Sequence, residues 1–286
     1  TLVKEETLDF ISFSNFYQTS WQQDISEERK LLGDKISIYG YVEGAVNWMN
    51  TRSDREIKNN EIHQKPGDYT CNGREMMYSG EFLRGNAAGK LVTGADGLIL
   101  FNAFMGYQED MRAKPCNDVV PEIGSLESLR GKEKAYTFST NGLWHLTTIP
   151  LEQVEQLPAL VAPGSRRSFR LPMCAEPADA DLELEVALIV EKKEGVVFRP
   201  AVSVNTHWPI TQYEETDDLL FPTGDYNKVL RNEACYIFRF PVSMIQEGWN
   251  EFWIINMLTD SDDPAVSKQN VMKLAGLDIE IKKHAR

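Results

Sequence analysis

The sequence predicts an α/β section followed by an all-β section. Two observations carry this. Up to about residue 135, short apolar runs alternate with helical segments, and beyond it the chain turns to period-two runs separated by turn residues. Strand, helix, strand, helix is the order of parallel βαβ units, and repeated alternating strands without helices between them make an antiparallel sandwich.

The elements follow in order. LDFISFSNFY (8–17) reads as a buried strand. DISEERKLLG carries Asp24 as N-cap, Glu27 three residues on and Gly33 as C-terminal stop. KISIYGYVEG (35–44) is a second strand. Its period of two puts Ser37, Tyr39, Tyr41 and Glu43 on one face and Ile36, Ile38 and Val42 on the other. A polar loop, roughly 47–75, carries Trp48. YSGEFLRGNAAGKLVTG (78–94) has helical spacing, GLILFNAFM (97–105) is a third strand, and PEIGSLESLRG (121–131) is a short helix opened by proline and closed by glycine. Gly94 and Gly97 frame a helix-to-strand turn, since no GxxxxGK or GxGxxG accompanies them. The boundary between the sections is expected near Gly131–Asn141, giving domains 1–135 and 136–286.

In the second section, LELEVALIVE (182–191), FRPAVSVN (198–205), ACYIFRFPV (234–242), NEFWIINML (250–258) and GLDIEIK (276–282) read as strands. Leu182, Leu184, Val186, Leu188 and Val190 share the core face of the first, leaving Glu183, Glu185 and Glu191 to solvent.

Of the 286 residues 42% are hydrophobic and 26% charged, with a net charge of -13. That balance argues against nucleic acid and against anionic membranes as partners, because no basic cluster is larger than a pair such as Arg166-Arg167. Neutral polar ligands such as sugars are compatible with it. The four cysteines (Cys71, Cys116, Cys174, Cys235) form no CxxC and read as buried free thiols, and the four histidines are equally scattered, so neither metal nor cofactor is expected. The acidic clusters EETDD (214–218) and DSDD (260–263) fit no EF-hand spacing and read as solvated loops. No apolar run reaches membrane-spanning length. The chain opens TLVKEETLDF without an initiator Met, so the compartment stays open.

The order DFISFSNFY, KISIYGYVEG, AAGKLVTGADGLILFNAF and EIGSLESLRGKEKAY resembles the last three strand–helix units of a glycoside-hydrolase-like TIM barrel of clan A type. NEACYIFRFPVSMIQEGWNEFWII resembles the late strands of a galactose-binding-like sandwich, with its EG-x-N step at Glu247, Gly248 and Asn250. The resemblance implies a partial (β/α)8 barrel followed by an antiparallel jelly-roll β-sandwich, carbohydrate as the partner, and retaining hydrolysis of glycosidic bonds where the barrel is complete. IYGYVEG is then the seventh strand and Glu43 the nucleophile at its C-terminal end, where barrel enzymes place their sites. Tyr41, Trp48, Tyr17, Asn15 and Asn102 follow as substrate-binding candidates, the aromatics stacking on sugar rings and the amides bonding hydroxyls. The proton donor of this family sits on the fourth strand in an Asn-Glu pair that no segment here matches. It is expected from an N-terminal barrel portion or from another chain. The alternative is a non-catalytic carbohydrate-binding or scaffold protein using the sandwich. Trp21 and the His207-Trp208 pair read as packing residues.

Overall fold

The structure is a computed structural model that describes residues 8–13, 21, 23–43, 79–101, 118–138, 157–223, 226–229, 231–259, 261 and 263–284, with backbone alone at Glu43, Phe101, Pro222, Thr223, Tyr226 and Asn227. These residues are mostly β-sheet with few helices. In the first section, β1 (Phe10–Phe13), β2 (Ser37–Glu43) and β3 (Gly97–Phe101) form a parallel sheet in the order β1-β2-β3. Helix α1 (Ser26–Leu32) links the first pair and α2 (Gly80–Val92) precedes β3. The N-cap of α1 is Ile25, not the expected Asp24, and it makes no side-chain cap; the Asp24 carboxylate, one residue earlier, accepts from Ser26 N at 2.9 Å. Gly33 ends the helix at φ 59° as expected. The helix expected over 121–131 divides into a 3-10 turn (Val120–Glu122) and α3 (Leu126–Leu129), capped by Ser125.

The second section is a β-sandwich. One sheet orders β4 (Lys134–Phe138), β14 (Met272–Lys283), β7 (Leu182–Glu191), β12 (Glu233–Pro241) and β9 (Glu214–Thr216), with β5 (Ala159–Val161) also on β14. The other orders β6 (Arg166–Met173), β13 (Gly248–Asn256) and β8 (Pro200–Val204). Successive strands pass between the sheets, so the core is built from residues far apart in sequence. Leu184, Val186, Leu188, Phe238, Phe240 and Ile279 meet Phe169, Leu171, Val202, Val204, Phe252 and Ile254 in one buried cluster. Each such side chain contributes roughly 1.5–3 kcal/mol. Phe138 and Phe169 span the two sheets edge to face at 5.2 Å. A hairpin of β10 (Asp218–Thr223) and β11 (Tyr226–Lys228) and a six-residue helix α4 (Pro264–Gln269) decorate the sandwich.

Three sequence expectations are corrected. Glu214–Thr216 is a strand at the edge of β12, not a loop, with Glu214 held by Arg239 at 2.9 Å. Strand β6 was not expected at all. Glu185 is 1% exposed, not solvated, because Arg239 and Lys282 each bind one of its oxygens at 2.7 Å. Two cations replace the water that a carboxylate would otherwise need.

Across the ladder from Glu185, burial raises Glu280 to about 7, with Glu185 adding to the rise and Lys282 opposing it. A carboxyl whose folded pKa lies above its unfolded value of 4.5 binds its proton more tightly in the fold, so stability falls as pH rises from 4.5 to about 7. Glu280→Gln, which mimics the protonated form, is expected to match the parent at pH 4.5 and exceed it at pH 8. The gain is of order 1–3 kcal/mol, read as a rise in urea midpoint. An equal midpoint at both pH values would refute this.

Helix α2 joins the two sections. It is buried nearly all round, from Phe82 and Leu83 to Ala88 and Lys90, because β2 lies on one side and β4 and β6 on the other. Phe82 sits 5.7 Å from Trp21 and 4.8 Å from Phe221, and Trp21 lies 5.6 Å from Tyr136. Phe82→Ala is expected to cost about 3–5 kcal/mol in a chemical melt, the price of an aromatic removed from a site that cannot collapse. A loss under about 1 kcal/mol would show that α2 is loosely held.

Candidate functional site

The parallel sheet has two unlike faces. Ile36, Ile38, Gly40 and Val42 are buried toward α2, whereas Ser37, Tyr39 and Tyr41 on the other face are half-buried. Gly40 is glycine because Lys90 of α2 crosses there: a Cβ at that position would lie 2.6 Å from the Lys90 Cβ. Burial pulls the Lys90 ammonium down to about 7. On the opposite face Phe10 meets Tyr39 edge to face at 5.6 Å, and the Tyr39 ring lies 3.0 Å from where a Cβ on Gly97 would be.

The two ends of the strands do different work. At the N-terminal end of β3, Gly94 adopts φ +114° and lets the chain turn from α2 into the sheet. Asp96 then locks the register: its carboxylate accepts from Ile38 N at 2.7 Å and pairs with Arg29, and its own N–H donates to the Ile38 carbonyl at 2.7 Å. The Ile38 N–H, followed by Arg29, holds this carboxyl below its usual range. At the C-terminal end, Glu43 closes β2, paired with Phe101 at the close of β3. Tyr41 is half-buried two residues before it. The sequence-predicted residues Asn15, Tyr17, Trp48 and Asn102, and the Glu43 side chain, lie outside the described residues.

Trp21 is buried at 6% exposure in the aromatic cluster, a packing residue as expected. Trp208 is 60% exposed, after a tight turn in which Asn205 and Thr206 adopt φ 48° and 70°. Asn205 over-determines that turn: its Nδ2 donates to Met244 O at 2.9 Å and Asn250 Oδ1 at 2.6 Å, and its Oδ1 accepts from Glu251 N at 2.9 Å. The EG-x-N step is structural. Asn250 bonds Gln246 through both main-chain groups at 2.9 Å, and Glu247 pairs with Arg130 at 2.7 Å.

A second surface was invisible to the sequence reading because it needs β6. On the outer face of the three-stranded sheet, Arg166 lies over Trp253 at 4.3 Å and Arg170 over Trp249 at 4.9 Å. The available signal was the matching i, i+4 spacing of the arginines and the tryptophans.

Among the described residues, no group of three His, Cys, Asp or Glu could hold a metal ion. Cys174 and Cys235 are buried thiols outside any disulfide, with burial pushing the Cys174 thiol up to about 12. Among the described residues, no helix is long and apolar enough to cross a membrane.

No protein-family model matches the chain, and no curated protein matches it. Among solved structures, a family 35 carbohydrate-binding module from an environmental isolate is similar over 44% of this chain and 74% of its own, with 11% identity and a TM-score of 0.26. BuGH86 in complex with neoagarooctaose is similar over 52% of this chain and 19% of its own, with 11% identity and a TM-score of 0.28. BpGH86A, a β-porphyranase of glycoside hydrolase family 86 from the human gut bacterium Bacteroides plebeius, is similar over 44% of this chain and 19% of its own, with 12% identity and a TM-score of 0.25. The similar region thus spans 19% of either hydrolase. Likenesses this low establish neither fold nor function for this chain.

Proposed function

We propose that the chain is the C-terminal part of a carbohydrate-active, glycoside-hydrolase-like protein, its parallel sheet the last three units of a (β/α)8 barrel and its sandwich of jelly-roll, galactose-binding-like type. The single observation that supports this is the strand order. Three parallel strands lie side by side in chain order, and Glu43 stands at the C-terminal end of the middle one. Barrels place their sites at that end because the loops that follow the strands converge there.

Where the barrel is complete, the chemistry is retaining hydrolysis. The Glu43 carboxylate attacks the anomeric carbon and forms a glycosyl-enzyme, while a carboxylic acid about 5 Å away protonates the leaving oxygen and then activates water. That acid comes from a preceding barrel portion or another chain. Tyr41 donates a hydrogen bond to Glu43 or to the ring oxygen. Trp48 and Tyr17 stack on the sugar, and Asn15 and Asn102 bond its hydroxyls. No step calls on a cofactor or a metal.

The test uses the intact protein on a panel of polysaccharides. Reducing ends released with retained anomeric configuration support the proposal, and inverted product overturns the double-displacement mechanism. A second reading, a non-catalytic carbohydrate-binding or scaffold protein, is favoured by the sandwich having its own buried core and an aromatic outer face. It predicts glycan binding without turnover from any form of the protein.

A further inference from the structure

The His207-Trp208 pair, expected from the sequence to pack, stands in water. Trp208 is 60% exposed and Ile210 63%, with Pro209 between them. Among the described residues, the Trp208 indole meets no other ring and no cation. Apolar side chains exposed singly need no explanation, but an indole and an isoleucine flanking a proline on an ordered turn form a patch that a ligand can cover.

The segment is held at both ends and in the middle. Asn205 and Thr206 make the positive-φ turn, and the Asn205 side chain ties it to Met244, Asn250 and Glu251. His207 exchanges both main-chain bonds with Val204, at 2.8 and 2.9 Å. Ile210 N donates to Arg239 O at 2.9 Å. Tyr213 packs on Tyr236 at 5.2 Å and on Phe238 at 5.6 Å, against the core. An ordered backbone thus presents Trp208 to solvent, and little chain entropy remains to be lost on binding.

The chemistry around the indole is neutral. From Pro200 to Tyr213 there is no Asp, Glu, Lys or Arg, in a chain that is 26% charged. Thr206, His207, Thr211 and Gln212 are exposed, and among the described residues their side chains make no hydrogen bond. An aromatic face beside unused hydroxyl, imidazole and amide groups fits a pyranose ring, whose C–H face lies on the indole while its hydroxyls meet the polar groups. An anion finds no open cation here. Arg239, whose carbonyl Ile210 binds, has its guanidinium committed to Glu185 and Glu214.

We propose that the turn after β8 is a binding site for a neutral glycan, with a pyranose ring stacked on Trp208. The proposal rests on the carbohydrate reading above and adds to it where the chain holds its ligand and that the ligand is uncharged there.

The experiment measures binding of the full 286-residue chain to galactomannan, xyloglucan, mixed-linkage glucan and agarose, with polygalacturonate as the anionic glycan. At least one neutral glycan is expected to bind, and more tightly than polygalacturonate. Trp208→Ala and Trp208→Leu should each weaken it about tenfold, the loss of one stacked ring. Trp208→Phe should keep most of the affinity. The leucine variant retains an apolar side chain, so a loss in it at unchanged melting temperature is a loss of stacking and not of packing. Unchanged neutral-glycan binding by the folded alanine or leucine variant overturns this site and leaves the carbohydrate reading standing. Tighter binding of polygalacturonate than of every neutral glycan does the same. Self-association of the parent that Trp208→Ala abolishes, without glycan binding, makes the patch a contact between copies and overturns the proposal. Turnover of a glycan with no binding that depends on Trp208 removes this site alone. Binding of no glycan, together with no turnover, ends both.

Discussion

Lys134→Met destabilises the chain by about 3–5 kcal/mol, because it strands a buried carboxylate. Lys134 and Glu176 are both fully buried and lie 2.6 Å apart. The Lys134 ammonium also donates to the carbonyls of Leu129 at 2.6 Å and Lys132 at 3.0 Å, while the second Glu176 oxygen accepts from Gly131 N at 2.7 Å. Removing one partner leaves the other charged and dry. Removing both (Lys134→Met with Glu176→Leu) restores most of the loss, since an apolar pair has no charge to desolvate. The pair sits where α3 passes into the first sandwich strand, beside the Arg130–Glu247 pair. Its loss loosens the joint between the sections as well as the core. Urea melts of the two single variants and the double variant form the cycle. A double variant as unstable as the sum of the singles would mean that the two charges are not coupled.

On the proposed function, Glu43→Gln is expected to abolish turnover of a responsive glycan by the intact protein while substrate binding persists. An amide keeps the size and one acceptor oxygen of the carboxylate but cannot displace the leaving group at the anomeric carbon. The fold should be indifferent, since the described register of β2 depends on Asp96 and Arg29 at the strand's other end. Tyr41→Phe is expected to lower kcat more than it raises KM, because the hydroxyl matters most as charge develops at the anomeric carbon. Full turnover by Glu43→Gln would remove this residue from the chemistry.

Much of the strand content was legible where one face alternates cleanly. The runs at 182–191, 234–242 and 250–258 emerge as β7, β12 and β13 with ends shifted by at most two residues. The two faces of β2 were readable for the same reason. β6 was not, since RRSFRLPM has three arginines in its first five residues and reads as surface until its partner β13 is known. Glu185 was misjudged because period two says which face a residue takes, not what covers that face. Arg239 and Lys282 lie 54 and 97 residues away. The Lys134–Glu176 pair spans 42 residues and joins α3's exit to the loop after β6, a contact that no local pattern records. Of the site itself, the sequence offered a carboxylate at a strand end and a tyrosine beside it. The fold adds the parallel neighbours on either side of that strand.

The most direct measurement is peptide mapping of the intact protein quenched during turnover of its glycan. The account predicts a glycosyl mass increment on the peptide that contains Glu43, lost in Glu43→Gln. A glycosyl group on a different carboxylate, or steady turnover with every peptide unmodified, would contradict it.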